Sequence, residues 1–146
     1  LALTFSAGAA EDRRALGSAR ASDARTETQK RTLMWITIGT QRLAVTLEDN
    51  PTARAFAQRL PATLDMTELN GNEKYARLPR SLPTDPARPG AIHTGDVLLY
   101  GSDTLVVFYE TFRSSYSYTR IGRIEEAAGL AEALGPGNPR VTFTLP

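Results

Sequence analysis

The chain contains no cysteine, which excludes disulfides, thiolate nucleophiles and zinc–sulfur sites together. It has one histidine, His93, so no site of two imidazoles can form within a single chain. Neither sign of charge dominates. Seventeen Lys and Arg are interspersed with sixteen Asp and Glu, for a net charge of +1. Without a basic stripe there is no electrostatic footprint for nucleic acid or an acidic membrane surface. No run approaches the roughly eighteen apolar residues of a membrane span. Several motifs are missing too. There is no Gly-x-Gly-x-x-Gly, no Gly-x-x-x-x-Gly-Lys-Ser/Thr and no Gly-x-Ser-x-Gly. Gly135-Pro136-Gly137 is a turn rather than a phosphate cradle, because no helix N-terminus follows it. His93 and Asp96 are two ligands without a supporting cluster, too few for a metal. No metal and no cofactor is expected.

What is present describes an ordinary globular protein. The 146 residues are 41% apolar and 23% charged, enough for one domain with a sizeable core. Residues 1–33 differ from the rest. Leu1–Ala10 is apolar and small, and Ala7-Gly8-Ala9 has the form of a signal-peptidase site. Such a remnant implies a periplasmic or secreted protein; a simple extension implies a cytoplasmic one. Glu11–Thr32 has few large apolar residues to offset its ordering entropy and is expected to be a flexible linker. The folded domain is expected over 34–146.

From Met34 the pattern is mostly strand. Trp35, Ile36 and Ile38 precede Gly39-Thr40, and Leu43, Val45 and Leu47 alternate with polar residues, which predicts a hairpin. Asn50 is a good N-cap and Pro51 suits the first helical position. Ala53, Phe56, Ala57 and Leu60 then share one helical face, and Pro61 ends it. Thr63–Leu69 alternates, Asn70-Gly71-Asn72 is a turn, and Lys74–Leu78 is a further short strand. Pro79–Gly90 holds four of nine prolines and is expected to be a long surface loop. Val97–Tyr100 and Thr104–Tyr109 predict a second hairpin, with Leu105–Phe108 buried on both faces. Glu125–Leu134 predicts a second helix, with Glu125 and Glu126 favourably placed in its first turn and Gly135 at its end. Val141, Phe143 and Leu145 predict a closing strand. Many short strands and two short helices indicate a mainly β fold. A closed antiparallel barrel is expected, because closure removes exposed edges.

One stretch, Phe108–Ile124, stands out. It holds five of the chain's eleven aromatic residues and three of its cations. Arg113, Arg120 and Arg123 lie among Tyr109, Tyr116 and Tyr118. A guanidinium over an aromatic face both stacks and donates hydrogen bonds, which suits a peptide or a small acidic ligand. If this part is a strand, Tyr116 and Tyr118 share a face. The same pattern also describes amphipathic tyrosines on a barrel rim with no ligand at all.

Several segments resemble the bacterial cyclophilin-like domain proteins: DNPTARAFAQRLP, LNGNEKYARLPR, GDVLLYG, LVVFY and SYSYTRIGRI. The resemblance covers Met34–Leu145, and the DNPTA helix start and Tyr-x-Arg-x-Gly-Arg-Ile are its most specific pieces. It implies a small closed barrel of about eight strands with capping helices. The fold is shared with peptidyl-prolyl isomerases, whereas the activity need not be. Isomerases of that kind carry Phe-His-Arg, Phe-x-x-Gln and Gly-Gly-Asp. Here Tyr75-Ala76-Arg77 resembles the first, with Ala76 in place of histidine, and Gly95-Asp96 resembles the last. The Phe-x-x-Gln pair is missing, so the catalytic set is incomplete.

Three functions are therefore expected. The first is binding of a peptide or small ligand at the barrel face through Arg77, Phe108, Phe112, Arg113, Tyr116, Tyr118 and Arg120. The second is weak peptidyl-prolyl isomerisation, with Arg77 donating a hydrogen bond that weakens the double-bond character of the amide. The third is an accessory interaction domain without catalysis. The oligomeric state is left open by the sequence.

Overall fold

A computed structural model describes residues 32–146. The expected export-signal remnant and linker lie outside the described residues, apart from the linker's last residue, Thr32.

Eleven strands form from the alternating runs. They are β1 (Leu33–Ile38), β2 (Gln41–Leu47), β3 (Ala62–Asp65), β4 (Thr67–Leu69), β5 (Glu73–Arg77), β6 (Ala91–Ile92), β7 (Asp96–Tyr100), β8 (Thr104–Phe108), β9 (Phe112–Arg113), β10 (Thr119–Ile124) and β11 (Arg140–Thr144). Nine of them make one antiparallel sheet in the order β3-β11-β1-β2-β10-β7-β8-β5-β4. The two end strands, β3 and β4, are separated in sequence only by Met66. One bent segment therefore pairs with β11 on one side and β5 on the other, and the sheet wraps into a nearly closed barrel. With β3 and β4 taken as one strand, the barrel has eight staves, as the resemblance implied.

Met34, Ile36, Val45, Val97, Leu99, Leu105, Val107, Val141 and Phe143 fill the interior. Helix α1 (Pro51–Ala57) starts where the cap chemistry required it. The Asn50 side chain accepts from the Ala53 N–H at 2.8 Å, and Pro51 begins the first turn. Its Phe56 packs edge-on against Phe143, with ring centroids 5.6 Å apart. Helix α2 is shorter than expected and runs only over Leu130–Leu134. The Ile124 N–H is held by the Gly95 carbonyl, so the chain stays extended to that point. Gly129, which would lie inside the expected helix at a cost, instead takes the N-cap position before Leu130.

The barrel's seam is held by a lysine. Lys74 lies on β5 facing inward and is 0% exposed. Its Nζ donates to the carbonyls of Gly135 (2.8 Å) and Gly137 (2.6 Å), in the turn that leads into β11. Glu68 on β4 lies 3.5 Å from the same ammonium, and the Tyr109 ring centroid is 5.3 Å away. The Tyr109 hydroxyl donates to Glu68. The Met66 N–H donates to the Pro139 carbonyl and the Glu68 N–H to Asn138 Oδ1, both at 2.9 Å.

A second layer covers part of the outer wall. The proline-rich loop and the aromatic stretch pair with each other through β6–β9 and a bridge from Ala87 to Tyr118. The Ser114 N–H also donates to the Gly90 carbonyl. Beneath them Ile92, Leu98, Val106, Phe108 and Tyr118 form a separate apolar cluster on the outer face of β7 and β8. Leu105–Phe108 is thus buried on both faces, as its unbroken apolar run predicted.

Two tests follow from these contacts. At Gly122 a Cβ would lie 2.6 Å from the Thr46 carbonyl oxygen and 2.9 Å from Val45 Cγ1. Gly122→Ala is expected to cost about 1–3 kcal/mol in urea unfolding, whereas Gly137→Ala, with open space around it, should stay within about 0.5 kcal/mol. Burial, and then the Glu68 hydrogen bond, push the Tyr109 phenol up to about 12 from an ordinary 10.0. A raised folded value means a contribution fully present below pH 10 and lost as pH climbs toward about 12. Tyr109→Phe should therefore flatten the alkaline arm of a stability-against-pH curve.

Candidate functional site

The outer wall beside this second layer carries a cleft of about 370 Å³. Its floor is Val106 on β8 and Tyr75 on β5, cross-strand neighbours in register. Its walls are Tyr100, at the end of β7, and Tyr116 and Tyr118 from the aromatic stretch. Thr104, Leu69, Asn70 and Glu73 complete the lining. Four of the chain's five tyrosines thus meet in one place. Tyr100 and Tyr116 stand nearly perpendicular, 81° apart with centroids separated by 6.2 Å, and Tyr118 lies 5.8 Å from Tyr100.

Exposure marks the same place. Five large apolar or aromatic side chains are exposed among the described residues, and three of them line this cleft: Tyr116 (62%), Tyr100 (49%) and Leu69 (40%). Apolar surface left uncovered and gathered on one concave wall is the usual mark of a binding groove.

A second cavity, of about 430 Å³, lies on the other side of Tyr118. It is bounded by Asn50, Thr52, the Pro83–Pro89 loop, Thr119 and Arg120. The fold itself uses most of these groups. Asn50 caps α1 and donates to the Arg120 carbonyl, Thr52 donates to the Pro83 carbonyl, and Thr119 accepts from the Asp85 N–H. This cavity is a join between the loop and the barrel.

The residues singled out in the sequence separate accordingly. Phe108 and Phe112 lie 5.7 Å apart in the outer cluster with their rings tilted by 45°, and Phe108 is fully buried, 5.7 Å from Tyr118. Tyr116 and Tyr118 both reach the tyrosine cleft, although residues 114–118 form no strand and so do not share a face by alternation. Arg113 is exposed on β9, and Arg120 borders the other cavity. Arg77 is 81% exposed and lies 3.6 Å from Asp103; it is among the lining of neither cavity. Its neighbour Ala76 faces the barrel interior. Asp96 is fully buried, accepts from the His93 N–H at 2.9 Å and holds Arg123 at 3.1 Å, a structural role.

Sequence reasoning missed Glu73, Tyr75 and Tyr100. The available signal was the alternation of β5, which places Glu73 and Tyr75 on the face opposite Lys74 and Ala76. Tyr100 carried no local signal.

The family model described as the cyclophilin-like family matches residues 36–145. The chain belongs to the cyclophilin-like family. No curated protein matches it. Among solved structures it is similar to a hypothetical protein of Archaeoglobus fulgidus determined in solution, with a TM-score of 0.55 and 18% identity, over 80% of this chain and 95% of that one. At that identity the likeness shows the fold alone. In the tyrosine cleft of this cyclophilin-like barrel the one charged group is Glu73. Its carboxyl is held above the ordinary 4.5 by burial first and by the charge of Glu68 second.

A raised carboxyl value means that the folded state favours the neutral acid. That contribution is full below pH 4.5 and is lost as pH rises through the folded value, so the ionised group costs stability at neutral pH. Glu73→Gln should raise the urea midpoint at pH 7, and the gain should vanish in acid, where Glu73 is already protonated.

Proposed function

We propose that this cyclophilin-like domain is a binding module whose site is the tyrosine cleft on the outer barrel wall. The observation that carries the proposal is the convergence of four tyrosines, from β5, the end of β7 and the aromatic stretch, on one concave surface of about 370 Å³. That volume falls within the range of about 300–1,000 Å³ typical of small-ligand sites. Tyrosines give large rigid contact area, and their hydroxyls can remain wet at the rim. A peptide side chain or a small molecule of similar size suits such a cleft. Peptidyl-prolyl isomerisation would instead need Arg77 to donate into a pocket that holds the proline ring. The position of Arg77 beside Asp103, outside the cleft lining, gives that role no support. An accessory interaction domain remains compatible with binding here, the bound segment then belonging to a partner.

A panel of blocked tripeptides covering every side-chain class, titrated while backbone amide resonances are followed, tests this. At least one peptide should shift Tyr75, Tyr100 and Tyr116 together. Tyr116→Ala should weaken that binding by about tenfold or more without altering the melting temperature, since the ring is exposed. Shifts confined to the cavity beside α1, or acceleration of Xaa-Pro isomerisation that Arg77→Ala removes, would count against it.

A further inference from the structure

The chemistry of the cleft names a ligand class, given that the cleft is a binding site at all. We propose that it holds an organic cation, the guanidinium of an arginine side chain in a peptide.

Charge is the first ground. Among the residues that line the cleft there is no Lys, Arg or His, and the single ionisable group besides the phenols is the Glu73 carboxylate. Glu73 is half-buried, and among the described residues no cation lies within ion-pair distance of it. The two cations on the same strand are engaged elsewhere. Lys74 follows Glu73 on β5 but points into the barrel, onto the Gly135 and Gly137 carbonyls and Glu68. Arg77 stands opposite Thr104 in register but is drawn to Asp103. A half-buried carboxylate without a counter-charge is costly, and an incoming cation relieves that cost.

Geometry is the second ground. Aromatic faces attract cations through the ring quadrupole, and rings set at right angles present both a face and an adjoining wall. Tyr100 and Tyr116 are so arranged, with Tyr118 tilted against Tyr100 and Tyr75 on the floor. A planar guanidinium can stack on one ring while its edge N–H groups reach a carboxylate. An ammonium offers no such flat face, and Val106 and Leu69 give the aliphatic stem apolar contact. The sign is opposite to the acidic ligand suggested by the arginines of the aromatic stretch, because those arginines do not line the cleft.

N-acetyl-arginine amide and N-acetyl-citrulline amide are matched in shape and differ in charge. Titrated against the full 146-residue chain by calorimetry and amide shifts, the arginine compound should bind about tenfold tighter, with shifts at Glu73, Tyr75, Tyr100 and Tyr116. Glu73→Gln should remove that preference, bringing the two compounds to within about twofold of each other, and its melting curve should show an intact fold. N-acetyl-lysine amide should bind more weakly than the arginine compound. Equal affinity for arginine and citrulline would overturn the cation assignment while leaving a neutral ligand in the cleft. Tighter binding of lysine would overturn the guanidinium. If neither compound, nor any tripeptide of the panel above, shifts the cleft amides, the binding role falls with it.

Discussion

The interaction on which the rest depends is a buried ammonium. Lys74 has no exposed surface, and stripping a charge of water costs several kcal/mol unless other groups replace the hydration. Two backbone carbonyls, the Glu68 carboxylate and the Tyr109 ring replace it. These partners come from β4, from the chain after β8 and from the turn before β11. Three separate parts of the barrel are therefore tied to one atom near the junction of β3 and β4, the two end strands of the sheet. A barrel of short strands with a weak seam would expose two edges; here polar chemistry reinforces the seam, where β3 makes ladder bonds only to β11 and β4 only to β5.

The same lysine fixes what faces outward. Side chains on a strand alternate, so a slip of one residue would exchange the two faces of β5. With Lys74 committed to the interior, Glu73 and Tyr75 must lie on the outer wall. Register then carries the pattern across the sheet, with Tyr75 beside Val106 and Val106 beside Leu98. The outer row is apolar in the middle, where the second layer covers it, and is left open at the tyrosines. The proposed binding role and stability are in tension there. At the cleft the fold leaves three large apolar or aromatic side chains exposed and a carboxylate poorly solvated, features that cost stability unless a ligand covers them.

Local chemistry was legible in the sequence. Asn50-Pro51 announced a helix start because capping involves residues three apart. Leu105–Phe108 announced a strand covered on both sides because every position is apolar. The turn at Gly39 and the family resemblance were legible for the same reason. Glu125–Leu134 misled, since its helical spacing does not reveal that Ile124 is still held to Gly95. The cleft was half legible. Tyr116 and Tyr118 drew notice as neighbours in a dense aromatic stretch, whereas Tyr75 and Tyr100 join them only through pairing across three strands. Nothing near Lys74 in the sequence marks it as buried, and so nothing marked Glu73 as its outward-facing neighbour. Arg77 drew notice through its likeness to a Phe-His-Arg run and Arg113 as a cation among tyrosines, and neither signal says which way the side chain points.

The central claim is that four of the five tyrosines share one ligand and the fifth, Tyr109, belongs to the seam. Fluorine NMR of protein labelled with 3-fluorotyrosine resolves this directly, since Tyr75, Tyr100, Tyr109, Tyr116 and Tyr118 give one resonance each. On titration with an arginine-containing peptide, the resonances of Tyr75, Tyr100, Tyr116 and Tyr118 should move along one common binding isotherm while that of Tyr109 stays in place. Movement of Tyr109 alone, or of no resonance with any peptide, would contradict the account.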